Sequence, residues 1–146
     1  MVLTFLTIKF TSLRLVIMNK IKEFRRIAIC KELGLDYNLI EGDVYDGNVL
    51  FYKRYDPNIL CDPNILIKFS KLEIRKVNGY FDCGNNNLTS LKGCPDIVDG
   101  IFSCNYNYLT SLEHGPKKVG DNYWCYDNKK ILTKPTGCDI GGNFLE

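Results

Sequence analysis

The sequence predicts a solenoid, a parallel β-ribbon with irregular return segments, closed at its N-terminal end by an α-helical cap. Three observations predict it. Cys83, Cys104 and Cys125 recur at a spacing of 21 residues. The same offset joins Phe81, Phe102, Tyr123 and Phe144, and it joins Val77, Val98, Val119 and Ile140. Asn86, Asn107 and Asn128 form a further column, and Leu88 matches Leu109, Leu91 matches Leu112 and Pro95 matches Pro116. Independent columns agreeing on one period mark an array in which no unit buries its apolar face alone, so neighbours must stack.

The unit reads Val-x-x-x-Phe-x-Cys-x-x-Asn-x-Leu-x-x-Leu-x-x-x-Pro-x-x. Phe81-Asp82-Cys83 and Phe102-Ser103-Cys104 alternate as half-buried strands do. The Asn ends the strand at a turn whose backbone groups lack automatic partners. A buried amide carries two donors and an acceptor on a short stem, so it can satisfy them and bridge to the next coil. Leu88 and Leu91 fill the interior below the turn, and Pro95 stiffens the return.

The run Phe81-x-Cys83-x-x-Asn86-x-Leu88-x-x-Leu91 resembles the leucine-rich-repeat core, Leu-x-Leu-x-x-Asn-x-Leu-x-x-Leu. Its unit length and its Pro are similar to the short bacterial type found in secreted effectors and in phage or mobile-element proteins. The resemblance covers residues 77–146. It departs from the family in three ways: Phe replaces Leu at the strand start, Val77 lies four residues before Phe81, and the third unit degrades after Asn128. There Lys130 and Thr133 take the Leu columns, with Ile131 and Leu132 expected to substitute. A partial fourth strand over 140–144 closes the array.

Upstream, Ile59, Cys61, Asn64, Leu66 and Phe69 align with the first unit at an offset of 22, implying a degenerate unit over 59–76. A duplication, Asp56-Pro-Asn-Ile-Leu60 and Asp62-Pro-Asn-Ile-Leu66, overlaps it. Asp46-Gly47 between Val44-Tyr45 and Val49-Leu50-Phe51-Tyr52 signals a small hairpin, or equally an eroded repeat. Residues 19–33 read as the cap helix. Asn19 is a natural N-cap, Ile21, Phe24, Ile27 and Cys30 lie three apart, and Gly34 suits the C-terminal stop. Met18 is the expected physiological start, with 1–17 a mis-called extension; the alternative is a β-prone edge segment over Thr4 to Phe10. The expected organisation is therefore 1–17 extension, 18–58 cap, and 59–146 repeat array.

Composition narrows the function classes. A 45% apolar and 25% charged chain is ordinary for a globular protein, and a net charge of +2 gives no whole-molecule pull toward phosphate backbones. The first residues are too few to span a bilayer and lack the basic start of a secretory leader, so no transmembrane segment is expected. With seven cysteines and no leader, an intracellular, cytoplasmic location is expected, that of the host cell if the source is a phage.

The cysteine column reads as packing and not as a metal site. Stacked coils place Cys83, Cys104 and Cys125 in a row, whereas zinc wants four tetrahedral ligands, and no Cys-x-x-Cys occurs. Cys94 and Cys138 fall in return segments, Cys94 being the thiol to test for reactivity. The only histidine, His114, sits beside Gly115-Pro116 on a return turn, with no acid or nucleophile placed for it by the repeat pattern. Gly141-Gly142 matches Gly79 and Gly100 as a strand-opening turn, not a phosphate loop. No catalytic residue, cofactor or metal is expected, and the chain is read as a non-enzyme.

Binding is the remaining class. Strand residues flanking the Phe and Cys columns are expected to point outward: Tyr80, Asp82, Ser103, Asn105, Trp124 and Tyr126 are the candidate partner-binding residues, with a protein as partner. Aromatic and polar side chains on one ribbon are typical interface anchors. The rival reading is an accessory protein that contacts nucleic acid or anionic lipid through the basic helix 19–33, where Lys20, Lys22, Arg25, Arg26 and Lys31 outnumber Glu23 and Glu32. Because net charge is low, nucleic-acid binding would need a local basic patch.

Overall fold

A computed structural model describes residues 2–51 and 61–146, with side chains from residue 11 onward. Strands with a 21-residue spacing cannot lie flat beside one another unless the chain winds. It winds here as a β-solenoid, and the Val and Phe columns build two ribbons where the sequence suggested one. The elements in order are β1 (Ile40–Glu41), β2 (Val44–Tyr45), β3 (Val49–Leu50), β4 (Lys76–Val77), β5 (Phe81–Asp82), β6 (Ile97–Val98), β7 (Phe102–Ser103), β8 (Lys118–Val119), β9 (Tyr123–Trp124), β10 (Asp139–Ile140) and β11 (Phe144–Leu145). One ribbon has the order β1-β2-β4-β6-β8-β10 and the other β11-β9-β7-β5-β3. Apart from the antiparallel β1–β2 pair, neighbours are parallel.

The stacking is in register. Phe81 lies opposite Phe102, Phe102 opposite Tyr123, and Tyr123 opposite Phe144. Their ring centroids are 5.9, 4.8 and 5.6 Å apart. Each such aromatic pair adds about 0.5–1.5 kcal/mol beyond the area it buries. Val77, Val98 and Val119 face them across the interior, and Leu88, Leu91 and Leu109 complete it, all essentially inaccessible. Pro95 and Pro116 are buried on the return side. The coils approach so closely at one corner that a Cβ on Gly120 would stand 2.1 Å from the Asp99 carbonyl oxygen.

The asparagine column does what a buried amide at a strand end can do. Asn107 Nδ2 donates toward the carbonyls of Cys104 and Asn105 in its own coil and of Cys83 in the coil before. Asn128 repeats the pattern on Cys125 and Cys104, and Asn86 on Cys83, Gly84 and Phe51. The residue before each one, Asn85, Tyr106 or Asp127, turns the chain with φ of 53°, 51° or 53°.

The segment before the regular units is the first coil, not a hairpin. β2 pairs with β4 and β3 with β5, at an offset of 32 residues, so the two strands flanking Asp46-Gly47 belong to different ribbons. Each finds a parallel partner in the next coil, and the turn between them is a solenoid corner. The hairpin that does exist is β1–β2, turned at Gly42 with φ +62°. The return half of the degenerate unit is present: Leu66 and Phe69 are buried, on the short helix α2 (Ile65–Ser70). Its strand half is not. Cys61 lies outside any strand and Asn64 is the exposed N-cap of α2, while Ile59 and the first copy of the duplication lie outside the described residues.

The N-terminal helix, α1, runs Val2–Leu33, and so Asn19 is interior to it and the segment Thr4 to Phe10 is helical, not a strand. Its C-terminal turns do cap the first coil. Cys30 is buried, and Ile29 and Leu33 pack partly against the core. Arg26 donates to the Gly42 carbonyl at 2.8 Å, and Lys22 pairs with Glu73. The expected buried stripe is not there, because Ile21, Phe24 and Ile27 are exposed. Successive steps of three residues rotate backwards by about 60° each on an α-helix, so Ile21 and Cys30 sit on opposite sides. At the other end, Leu132 replaces the missing Leu column, being 3% exposed, whereas Ile131 is 82% exposed and does not.

Candidate partner-binding face

The outward side of the five-stranded ribbon carries the side chains between the core columns. Lateral neighbours there are 21 residues apart, so each is shielded or bared by the residues on either side. Ser103 lies between Asp82 and Trp124. It is 3% exposed, its hydroxyl donating to Asn105 Oδ1 at 2.9 Å, and Asn105 is 6% exposed. Both were expected to meet a partner, and both are instead covered. A Cβ on Gly84 would lie 2.4 Å from Asn105 Oδ1, which shows how Asn105 folds down over the neighbouring strand.

Four of the six expected residues remain accessible. Tyr80 is 48% exposed at the start of its strand and lies against Gly100. Asp82, Trp124 and Tyr126 are half-buried. Burial raises the Asp82 carboxyl above its ordinary value, outweighing the Gly84 N–H at 2.9 Å and the Ser103 hydroxyl beside it. Trp124 presents an indole N–H that is buried and has no acceptor among the described residues. Tyr126 packs edge-to-face with Tyr106, centroids 5.5 Å apart.

Tyr106, half exposed and packed on Tyr126, belongs to this surface and was not singled out from the sequence. The signal was available. Tyr106 occupies the left-handed corner where the neighbouring units place Asn85 and Asp127, residues that adopt that conformation readily. An aromatic side chain is costlier there.

The thiols stand apart from this face. Cys83, Cys104 and Cys125 form the expected buried row, all reduced, and Cys83 Sγ donates to the Ser103 carbonyl at 3.3 Å. Burial pushes the Cys94 and Cys104 thiols well up and Cys125 up to about 12. Neighbouring Cys83 pushes Cys94 further in the same direction. Thiolate character is what nucleophilic cysteines need, so the environment of Cys94 works against reactivity. His114 is exposed on its turn, 3.8 Å from Glu113. Among the described residues no three His, Cys, Asp or Glu side chains are placed to hold a metal ion.

Where the Leu columns break down, a cleft of about 500 Å³ opens between two returns, lined by Thr110, Ser111, Thr133, Lys130 and Lys134 among others. On helix α1, Lys22 and Arg26 are engaged with Glu73 and Gly42, which leaves Lys20, Arg25 and Lys31 as the outward basic groups of 19–33. No helix among the described residues is long and apolar enough to cross a membrane.

No protein-family model, curated protein or solved structure matches this chain.

Proposed function

We propose that the chain is a non-catalytic, protein-binding repeat module whose partner docks on the outward face of the five-stranded ribbon. Trp124, Tyr126 and Tyr106 form the anchor, with Tyr80 and Asp82 toward the first coil. The observation that carries this reading is Tyr106, half exposed in the left-handed region and packed edge-to-face on Tyr126, two residues from the half-buried Trp124. Half-exposed aromatic side chains supply apolar contact at little entropic cost, which is how interface anchors work. The left-handed Tyr106 supports the same reading, since a corner filled for folding alone would favour Asn or Asp. Burial pushes the Cys30, Cys94, Cys104, Cys125 and Cys138 thiols toward protonation, which disfavours a thiol-based catalytic alternative.

The test uses the single tryptophan. Purified wild-type protein and a Trp124→Ala/Tyr126→Ala variant, matched by circular dichroism, serve as baits in extracts of the native source, with bound proteins identified by mass spectrometry. The recovered partner is then titrated against wild type, where docking on this face shifts the Trp124 emission. A partner captured equally by both baits, or one that binds without moving the emission, places the interface elsewhere.

A further inference from the structure

We infer that helix α1 is a second docking element, and that its occupant is an anionic lipid surface. This inference does not depend on the ribbon face. Every side chain from Thr11 to Arg25 is exposed. Among them Leu13, Leu15, Val16, Ile17, Met18 and Phe24 are each at least half bare, with Phe24 at 68%. A contiguous apolar surface of this kind is rarely left in water, and here it lies on the helix that departs from the solenoid.

What covers it follows from how the residues are arranged. At about 100° per residue, positions 13, 15, 16, 17 and 18 surround the helix with no gap wider than about 100°. A partner helix or a groove covers one stripe and leaves the others wet. A lipid phase covers all sides, and a helix apolar all round is characteristic of such a medium. The sequence from residue 2 to 18 carries only Lys9 and Arg14 as charged groups. Directly after it come Lys20, Lys22, Arg25, Arg26 and Lys31 against Glu23 and Glu32. Lys20, Arg25 and Lys31 make no ion pair among the described residues, so their charge faces outward unneutralised.

That order, an apolar turn set followed by a basic one, matches the acyl boundary followed by the headgroup layer of an anionic leaflet. A second copy of the chain fits less well: a parallel pair would oppose lysine and arginine with lysine and arginine, and an antiparallel pair would cover only one stripe of each helix. The helix enters the interface without crossing it. Its final turns, from Arg26 to Leu33, remain docked on the first coil and tether the solenoid at the surface.

The intact protein tests this by flotation with vesicles of phosphatidylcholine alone and of equal parts phosphatidylcholine and phosphatidylserine. Binding is expected to the mixed vesicles and to weaken with added salt. Ile17→Glu with Phe24→Glu, both at exposed positions and so without effect on the fold, should reduce it by about tenfold or more. Lys20→Glu with Arg25→Glu should reduce binding to the level seen with neutral vesicles. Absence of flotation with the mixed vesicles overturns the inference, as does flotation that either double variant leaves unchanged. A wild-type dimer that Ile17→Glu/Phe24→Glu dissociates would make a second copy the occupant. Oligonucleotide binding without vesicle binding would make it nucleic acid. Either result overturns the lipid assignment.

Discussion

Asn107 reaches across to Asn86: its Oδ1 accepts the Asn86 backbone N–H at 3.0 Å and the Leu88 N–H at 2.9 Å. Its Nδ2 meanwhile faces carbonyls in both coils. One side chain thus closes the turn of the preceding unit and holds its own. Asn107→Leu keeps the volume and removes every one of these bonds. Unsatisfied buried groups cost about 1–3 kcal/mol each, so a loss of at least about 3 kcal/mol is expected. Asn128 is only half-buried and near the open end, so Asn128→Leu should cost less. Urea denaturation of the two variants checks the order.

The aromatic column makes a second demand. Phe102 is fully buried between Phe81 and Tyr123. Phe102→Ala should cost about 3–5 kcal/mol through lost burial and the cavity left behind. Ile131, 82% exposed, should tolerate Ala within about 0.5 kcal/mol. Thermal and urea midpoints of the pair would show whether the interior, and not apolar content as such, supports the fold.

Repeat columns were legible because a parallel coil forces equivalent residues into contact, so Cys, Phe, Val and Asn each repeat at the winding length. The first coil was legible only in part: Leu66 and Phe69 keep an offset of 22 to Leu88 and Leu91, but its strands pair at an offset of 32 and so follow no shared period with the rest. Strand alternation predicts that Ser103 points outward, which is a statement about direction and not exposure. Its exposure is set by Asp82 and Trp124 on either side, and a small residue between two larger ones is covered. Comparing each outward residue with those 21 before and after it would have removed Ser103 from the binding set. Three-residue spacing in the cap helix misled for a different reason, because only a mixture of three- and four-residue steps keeps to one face.

Asp82 makes stability fall with rising pH. Its carboxyl is raised by burial in the folded state, so folding favours the protonated form. No penalty exists below the unfolded value. The penalty grows as pH climbs from that value through the folded one, and is complete above it. Asp96, lowered by Lys117 and Arg75, and Glu73, lowered by Lys22, act in the opposite sense, their contributions being lost as pH falls. Asp82→Asn keeps an acceptor for the Gly84 N–H and isolates the effect. The variant should match wild type in acid and surpass it toward neutrality, as read from urea midpoints across the carboxylate range. A difference that stays constant with pH would remove the assignment.

Tyr123 offers the sharpest stability test. It occupies a column that Phe81, Phe102 and Phe144 fill without a hydroxyl, and its own hydroxyl is buried with no hydrogen-bond partner among the described residues. A Cβ on Gly115 would stand 2.8 Å from that oxygen, so the return turn has been held close to accommodate it. Burial keeps the phenol protonated far above its ordinary range. An orphaned buried hydroxyl costs about 1–3 kcal/mol, while the ring contacts with Phe102 and Phe144 survive its removal. Tyr123→Phe should therefore leave the fold intact and raise stability by about 1 kcal/mol, measured by urea denaturation. A destabilised variant would mean that the hydroxyl has found an ordered water, and that the third coil is held by it.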